Sequence, residues 1–486
     1  MGVHAGPGGP PLAVHLEERL VRLVTDQIEF LEPRFEAELA KRLGDCLCGA
    51  SGGVAPRRAR PDADGERFDE IHRGDCKGSE GCDRRGMERP LNGGVTDERR
   101  QPNTINVVRP RPDRLARLPE QYFVALLGRV TAAAAEAGPP VVDLGRGNPE
   151  VGPPPHVVEA LRSSALDPGV HGYPRIRGLT RTLEAIAGRY RDVYGVEVDP
   201  ETEVALVPGA KSVLGELALA LCNEGETLLL PDPYYPDYPS GLALAGATME
   251  TVPLRPDHAW SPDLTVAPDA AALYLNYPSN PCAVCAADGV FDDAVAWSRR
   301  TGGWVVHDAA YIDLVYDGRA PQSFLATPGA TDVGVEVFSM SKTYGMAGWR
   351  IAFVVGNVEI VERMNLFNDH LRTGMFVPLQ AATIAALEGS QDSVAERVAT
   401  YERRRDLIAS VLPEPPVCEG TFFVWVRLPE GLTAERLLSE ERIVVAPGEG
   451  FGPSGTGWVR LSLAVADETI ERGAERLGRA FAAVAA

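Results

Sequence analysis

A regular alternation of short apolar runs and helical stretches, beginning near residue 113, constrains the fold of this chain most. Apolar residues at helical spacing fill the stretches 178–194, 211–222 and 288–301. Seven short runs rich in β-branched and apolar residues lie at 204–208, 227–231, 247–254, 272–276, 304–308, 335–339 and 350–355. Strands that alternate with helices in this way predict a largely parallel sheet. We therefore predict an α/β fold whose large domain has about seven mostly parallel strands.

The remaining residues predict a smaller domain and an N-terminal extension. Apolar residues at helical spacing over 12–43 predict one helix. The following Gly-, Pro-, Arg- and Asp-rich stretch buries too little apolar surface to order itself. We predict four segments: a partly ordered extension (1–112), the first part of a small α+β domain (113–165), the large domain (166–370) and the rest of the small domain (371–486).

Composition argues against several classes of function. The chain has 48 Lys and Arg against 68 Asp and Glu, a formal net charge of −20, which argues against a nucleic-acid-binding protein. No apolar run approaches the roughly 18–20 residues that cross a bilayer, and the first residues lack the pattern of a secretory signal. We expect a cytoplasmic protein with no nucleic-acid or membrane partner.

Lysine is scarce in this chain. Four of the 48 basic residues are lysines, namely Lys41, Lys77, Lys211 and Lys342. Arginine stays protonated, whereas a lysine amine can lose its proton and form a Schiff base with an aldehyde. If the protein uses an amine in its chemistry, these four residues are the candidates.

The N-terminal cysteines do not favour a disulfide framework or a metal site. Cys46, Cys48, Cys76 and Cys82 lie near His72, but their spacing differs from that of the paired ligands of zinc sites. We expect free thiols there and no bound metal, with zinc binding as the alternative.

Polar and aromatic residues follow five of the seven predicted strands. They are Gly209, Ala210 and Lys211 after the first strand, Tyr235 after the second, Asn280 after the fourth, Asp308 and Tyr311 at the fifth, and Ser339, Ser341 and Lys342 at the sixth. In open α/β sheets, ligands bind beyond the carboxyl ends of the strands. The sequence therefore predicts one binding site at this edge of the sheet.

Several motifs resemble those of one enzyme family. The segment FSMSKTYGMAGWRIAF (338–353) resembles the S-x-S-K-x7-R signature of class I/II aminotransferases, which are fold type I pyridoxal-phosphate enzymes. The other motifs follow in the order of that family: DLGRGNPEVGPPP, YPRIRGLTRTLEAIAGRY, PGAKS, DPYYPDY, NYPSNPCA, HDAAYIDLVYDG and GWVRLSLA. The resemblance covers about residues 113–486. It implies pyridoxal 5′-phosphate as cofactor, amino-acid and keto-acid substrates, and a homodimer with shared active sites.

Residue chemistry and the resemblance together assign a catalytic group and its neighbours. Lys342 is the best candidate for the Schiff base, and its freed amine can move a proton between substrate Cα and cofactor C4′. Asp308 would pair with the protonated pyridine nitrogen. By resemblance, Tyr311 and Asn280 bond the phenolic oxygen. Tyr235 resembles the aromatic residue that stacks on the ring, with a plain core tyrosine as the alternative.

The cofactor phosphate is expected at the start of the helix near residue 210, because backbone N–H groups and the helix dipole favour an anion there. The residues expected around the phosphate are Gly209, Ala210, Lys211, Ser339, Ser341 and Arg350. The resemblance adds Tyr173, which would reach the phosphate of the other subunit. Lys211 is the main competitor of Lys342 for the Schiff base.

The resemblance also implies how the substrate is held. Arg460 matches the family's arginine for the α-carboxylate, and Gly147 and Asn280 are expected beside that group. Three departures leave the substrate open. The segment 280–283 reads Asn-Pro-Cys-Ala where the family usually has Asn-Pro-Thr-Gly, and the helix after Gly178 reads TRTLEAIA instead of the usual Leu-Arg pair. In addition, no arginine aligns with the one that binds a distal carboxylate, and Arg372 lies nearby but offset.

The leading functional prediction is transfer of an amino group between an amino acid and a 2-keto acid, in specialised biosynthesis. A second prediction is elimination, replacement or cyclisation at Cβ or Cγ of an amino acid such as S-adenosylmethionine. A remote third prediction is a transcription regulator, in which an aminotransferase-like sensor domain follows an N-terminal DNA-binding arm. Such an arm would need to be basic. Residues 1–113 carry 18 basic and 20 acidic residues, so the third has little support.

Overall fold

The computed structural model describes residues 110–485. The helix expected over 12–43 and the four N-terminal cysteines lie outside this range, so those expectations stay predictions. Among the described residues, no helix combines the length and apolar character that a bilayer crossing requires. No cluster of three or more His, Cys, Asp or Glu side chains suited to a metal ion occurs within the same range.

The described residues form twelve strands. They are β1 (Val142–Asp143), β2 (Val204–Val207), β3 (Thr227–Asp232), β4 (Thr248–Pro253), β5 (Ala272–Asn276), β6 (Trp304–Asp308), β7 (Gly334–Ser339), β8 (Ala352–Gly356), β9 (Phe423–Arg427), β10 (Ile443–Val444), β11 (Ala446–Pro447) and β12 (Trp458–Ser462). The seven strands predicted between residues 204 and 355 are all present, each within two residues of the expected ends.

Fourteen α-helices accompany these strands in the described part of the chain. They are α1 (Asp113–Ala116), α2 (Tyr122–Ala135), α3 (Pro155–Ala165), α4 (Thr180–Arg189), α5 (Ala210–Leu221), α6 (Tyr238–Ala245), α7 (Val290–Thr301), α8 (Ala330–Val333), α9 (Met340–Thr343), α10 (Val358–Leu371), α11 (Val377–Glu388), α12 (Asp392–Ser410), α13 (Ala434–Glu441) and α14 (Asp467–Ala485). A π-helical turn, Tyr190–Tyr194, continues α4.

Seven strands form the large sheet, in the order β2-β8-β7-β6-β5-β3-β4. β8 runs antiparallel to both of its neighbours, and the other pairs are parallel. This confirms the predicted α/β fold with seven mostly parallel strands. The carboxyl ends of β5, β6 and β7 therefore lie side by side, which brings the residues that follow them to one edge.

Apolar cores lie on both faces of this sheet because successive strand residues point to opposite faces. In β3, Leu228 and Leu230 join a core that includes α5, α6 and α10. Leu229, between them, joins the core on the other face, which includes α4 and α7. All three leucines are fully buried, so β3 is covered on both sides.

Two smaller sheets involve the C-terminal part of the chain. β1 pairs in parallel with β10, and β12 lies antiparallel between β11 and β9. The segment before residue 165 thus contributes a strand to the C-terminal part through β1, while α3 packs on α11. The domain boundaries at residues 112, 165 and 370 stay a prediction.

Candidate active site

A cavity of about 550 Å³ opens at the predicted edge of the large sheet. Its lining includes twelve residues singled out from the sequence: Gly147, Ala210, Lys211, Tyr235, Asn280, Asp308, Tyr311, Ser339, Ser341, Lys342, Arg350 and Arg460. The fold therefore brings together residues that lie up to 313 positions apart in the chain (460 minus 147).

Lys342 lies in the short helix α9, directly after β7. Its Nζ lies 3.4 Å from the carbonyl oxygen of Gly147, and it faces the rings of Tyr311 and Phe422, 5.9 and 5.1 Å from their centroids. Burial lowers the pKa of Lys342 to about 8, and the positive charges of Arg460 and Arg350 add to this effect. A substantial neutral fraction near pH 8 makes this amine a competent nucleophile and base.

A buried polar network holds the segment that carries Lys342. Asp313 accepts a hydrogen bond from Thr343 Oγ1 at 2.9 Å and another from Tyr194 OH at 2.7 Å. The same carboxylate pairs with Arg189 at 2.8 Å, and both side chains are at least 95% buried. Because Thr343 follows Lys342 directly, the network ties the lysine to the residues that follow β6.

Asp308 is the last residue of β6 and is buried. Its Oδ2 accepts a hydrogen bond from Tyr238 OH at 2.7 Å, and its Oδ1 accepts one from Ala310 N at 3.2 Å. Burial raises the pKa of Asp308, and the Tyr238 hydrogen bond opposes that rise. A buried carboxylate without a cation on it is costly, so the arrangement suits a ligand that brings a protonated nitrogen.

Arg460, in β12, is 99% buried. Its Nη1 donates to Asn280 Oδ1 at 2.8 Å and its Nη2 donates to Gly145 O at 3.2 Å. Within residues 110–485, its Nε has no hydrogen-bond partner. Burial lowers the pKa of Arg460 to about 10. A buried cation held by neutral groups favours an anionic ligand, and a carboxylate matches the planar guanidinium.

Aromatic rings surround this arginine and the lysine. The Arg460 guanidinium lies 3.8 Å from the Phe423 ring centroid. Tyr311 is buried edge-on against Phe422 and Phe423, with ring centroids 5.3 and 5.8 Å away. Burial raises the pKa of Tyr311, so its hydroxyl stays protonated and can donate a hydrogen bond.

The anion site predicted from the sequence corresponds to the N-terminus of α5, which lies at the cavity. Gly209 precedes the helix with φ +88°, and Arg350 packs so closely on it that a Cβ there would lie 2.2 Å from Arg350 Nη2. The free N–H groups of the first turn, the guanidinium and the hydroxyls of Ser339 and Ser341 line one region of the cavity. Lys211 also lines the cavity, and it pairs with Asp237 Oδ2 at 2.9 Å.

The chemistry of these groups fits pyridoxal phosphate. Lys342 offers an amine for its aldehyde, Asp308 a buried acceptor for its ring nitrogen, and the start of α5 a cradle for its phosphate. Buried Arg460, whose Nε has no hydrogen-bond partner in the described part of the chain, then remains for a substrate carboxylate.

Three residues singled out from the sequence lie outside the cavity lining: Gly209, which immediately precedes Ala210 of the lining, Tyr173 and Arg372. Tyr173 is 90% exposed. Arg372 forms an ion pair with Glu216 and donates to Asn368 Oδ1 at 2.8 Å, so it is not available for a distal carboxylate.

Several residues at or beside the cavity have no signal in the sequence that singles them out. Tyr238, which donates to Asp308, is one of three tyrosines in the motif DPYYPDY, and only the fold shows which of them contacts Asp308. Phe123, Leu126 and Leu127 of α2 line the cavity together with Arg146. Arg146 lies inside the motif DLGRGNPE. No local sequence feature indicates that α2 contributes to the cavity wall.

Comparison with known proteins identifies the family. The family model described as "Aminotransferase class I and II" matches residues 139–477. The L-glutamine–4-(methylsulfanyl)-2-oxobutanoate aminotransferase of Bacillus subtilis (strain 168) is 42% identical over 378 residues, covering 75% of this chain and 95% of that protein. The glutamate-pyruvate aminotransferase AlaC of Escherichia coli (strain K12) is 39% identical over 366 residues, covering 72% and 89%.

A solved structure agrees with these sequence matches. Substrate-bound BacF from Bacillus subtilis superposes with a TM-score of 0.72 at 35% identity, covering 77% of this chain and 98% of that one. The relatives named here are aminotransferases, which confirms amino-group transfer as the leading prediction. The chain belongs to the class I and II aminotransferase family and is a pyridoxal-phosphate-dependent aminotransferase.

Proposed function

We propose that this chain transfers amino groups between a 2-amino acid and a 2-keto acid in the cavity at Lys342, with Arg460 binding the α-carboxylate. One observation carries the proposal: the same cavity is lined by an amine with a lowered pKa and by a buried guanidinium that forms no ion pair with any of the described residues. The first group suits proton transfer at a substrate carbon, and the second suits a carboxylate attached to that carbon.

When bound, pyridoxal phosphate supplies an aldehyde for the amine and an electron sink for the substrate Cα–H bond. Asp308 would hold its pyridine nitrogen, and Tyr311 and Asn280 its phenolic oxygen. Its phosphate would be held by Gly209, Ala210, Lys211, Ser339, Ser341 and Arg350, and Tyr235 would cover its ring.

Separate residues of the chain then orient the substrate and move the proton. Arg460 and the backbone at Gly147 orient the α-carboxylate, which turns the Cα–H bond toward Lys342. The neutral Lys342 amine accepts the proton from substrate Cα and would deliver it to cofactor C4′. A positioned general base of this kind contributes roughly 10²–10⁴-fold in rate. The rings of Phe422 and Phe423 restrict the access of water to the amine.

The active form is proposed to be a homodimer. Tyr173 is almost fully exposed in the single chain, and it lies in a segment next to residues 371–376: His171 contacts Phe376, with ring centroids 5.9 Å apart. Leu371 and Phe376 are also exposed. A second copy would cover these apolar side chains and let the partner subunit's Tyr173 reach the cofactor phosphate.

The names of the relatives place them in amino-acid metabolism with varied side chains, including glutamine, glutamate and a methylsulfanyl keto acid. We propose that this chain likewise transfers amino groups in the biosynthesis of amino acids. Its specialised pathway and its cytoplasmic location stay predictions from the sequence.

Reduction of the cofactor-loaded protein with borohydride tests the assignment of the amine. The hydride fixes the cofactor on its lysine, and peptide mapping then finds the modified residue. We expect the adduct on Lys342 and the loss of the visible cofactor absorbance in Lys342→Ala. An adduct on Lys211, or an unchanged absorbance in Lys342→Ala, would contradict the proposal.

A further inference from the structure

We propose that His307 is a positioning residue of the active site, a buried imidazolium that favours the ionised carboxylate of the neighbouring Asp308. The proposal rests on the function proposed above, in which Asp308 holds the ring nitrogen of the cofactor. It concerns a histidine that does not line the cavity and acts through the residue beside it.

His307 is enclosed within the large sheet. It precedes Asp308 in β6, the central strand of the seven, and successive strand residues point to opposite faces of a sheet. The imidazole therefore lies on the face away from the Asp308 side chain. It is fully buried and packs against Phe291 of α7, with ring centroids 5.0 Å apart. The other four histidines between residues 110 and 485 are exposed: His156, His171, His258 and His370.

Both ring nitrogens of His307 lie within hydrogen-bond distance of an acceptor. Nε2 is 2.9 Å from the main-chain carbonyl oxygen of Tyr277, and Nδ1 is 2.8 Å from Glu336 Oε2. A carbonyl oxygen can only accept, so Nε2 carries a proton. Nδ1 carries a second proton if the carboxyl group of Glu336 is ionised, because an ionised carboxylate also can only accept.

The surroundings of Glu336 favour its ionised form. Oε2 also accepts from Ser323 Oγ and from Phe324 N, each at 3.0 Å, and Oε1 accepts from Tyr190 OH at 2.9 Å. Burial raises the pKa of Tyr190 and the charge of Glu336 adds to this effect, so the hydroxyl keeps the proton for its bond. A carboxylate that receives several hydrogen bonds is stabilised in its charged form. The proton of the pair therefore stays on the ring, and His307 is an imidazolium.

The charge of His307 acts on Asp308 without a direct hydrogen bond. The carboxylate of Asp308 accepts from Tyr238 OH and from Ala310 N. Burial raises the pKa of Asp308, those two hydrogen bonds oppose the rise, and the charge of His307 opposes it as well. Both side chains are buried, so solvent screens this attraction little. Glu336 stands opposite His307 on β7, which leaves the positive end of the pair next to Asp308.

This charge should decide where the proton between Asp308 and the cofactor lies. That proton can sit on the ring nitrogen, beside a charged carboxylate, or on the carboxylate itself. Since Asp308 lines the cavity and His307 does not, the cation stands behind the carboxylate and favours the first arrangement. A protonated ring nitrogen withdraws electrons more strongly, which is the property that the reaction needs.

The protonation of the His307 ring can be measured in the wild-type protein. Histidine labelled with 15N is incorporated, and NMR spectra of the cofactor-loaded protein at about pH 8 record the ring N–H groups. An ordinary imidazole, with a pKa of about 6.5, is neutral there and has one N–H. We expect two slowly exchanging N–H signals from one buried ring, both lost in His307→Gln. One such signal, or none, would overturn the proposal.

The effect on the cofactor is measured with pyridoxal phosphate labelled with 15N at its ring nitrogen. The chemical shift shows whether this nitrogen is protonated. At about pH 8 we expect the protonated signal in wild type and a signal shifted toward the unprotonated value in His307→Gln, as the proton affinity falls about tenfold. Phe291→Leu is the matched control, because it changes the packing of the same ring without changing a charge. Identical signals in wild type and His307→Gln would contradict the role of His307.

A second variant guards against a failure to fold. His307→Gln leaves Glu336 buried without its cation, whereas the double variant with Glu336→Gln places two neutral amides there. We expect the double variant to shift the cofactor signal in the same direction, and an unshifted signal would overturn the proposal. An unprotonated ring nitrogen in the wild type would instead contradict the role of Asp308 in the proposed function, and with it this proposal. A protonated nitrogen that both variants leave unchanged would contradict the role of His307 alone.

Discussion

The hydroxyl of Tyr238 donates a hydrogen bond to Asp308 Oδ2 at 2.7 Å, and both side chains are buried. The bond joins the first turn of α6 to the end of β6, 70 residues apart. The bond favours the charged carboxylate and so opposes burial, which raises the pKa of Asp308. The charged form is the one that attracts a protonated ring nitrogen.

Replacing Tyr238 by Phe should therefore weaken cofactor binding. Loss of the bond lets the pKa of Asp308 rise further, and the dissociation constant of pyridoxal phosphate should increase about fivefold to tenfold. An absorbance titration of the cofactor-free protein measures it. Tyr274→Phe is the matched control, because its buried hydroxyl donates to Leu214 O instead. Equal losses of affinity in both variants would argue against a role for Tyr238 at Asp308.

The lowered pKa of Lys342 predicts a distinctive pH dependence. Since the neutral amine attacks the aldehyde, the rate at which cofactor-free protein takes up pyridoxal phosphate should rise with pH through about 8 and then level off. An ordinary lysine would show its midpoint near 10.5. Stopped-flow absorbance measures the rate, and a midpoint near the ordinary value would contradict the burial argument.

The same shift has a consequence for stability. The pKa of Lys342 is lower in the folded chain than in the unfolded chain, so the unfolded chain binds more protons between pH 8 and 10.5. The cofactor-free protein should therefore gain stability as pH rises through that window, relative to Lys342→Met, which carries no titrating group. Urea unfolding of both proteins at several pH values measures the difference.

Gly209→Ala should impair cofactor binding. The new Cβ would lie 2.2 Å from Arg350 Nη2, and φ at this position is +88°, where an alanine is strained. We expect the dissociation constant of the cofactor to rise about tenfold or more. Gly215→Ala in the same helix is the control: its Cβ makes an ordinary contact, 3.5 Å from Gly241 Cα. A normal affinity in Gly209→Ala would show that Arg350 relaxes freely.

Asp313→Ala should destabilise the fold strongly. The change leaves Arg189 buried without its carboxylate and removes the acceptor of Thr343 and Tyr194. Breaking a buried pair in this way costs about 3–5 kcal/mol. Urea unfolding measures it, with Asp406→Ala as the control, because the pair of Asp406 with Arg405 is largely exposed on the aspartate side and is worth under about 1 kcal/mol. Similar losses in the two variants would contradict the network.

Much of the site could be predicted because its signals are local. The residues Lys342 and Asp308 each stand at the end of an apolar run, and parallel strands bring their carboxyl ends to one edge of a sheet. Arg372 shows the limit of such reasoning. Its position suggested a distal-carboxylate group, but its charge is used by Glu216, a partner 156 residues away in the chain.

The sequence by itself determined the strands and the residues that stand at their ends, because side-chain periodicity and strand-end residues are properties of short segments. Only the tertiary structure decided which tyrosine supports Asp308, that Arg460 is held by Asn280 and Gly145, and that Arg146 faces the cavity. These relationships join segments separated by tens to hundreds of residues. Their energies depend on burial and on the orientation of partners, which arise when the elements pack together.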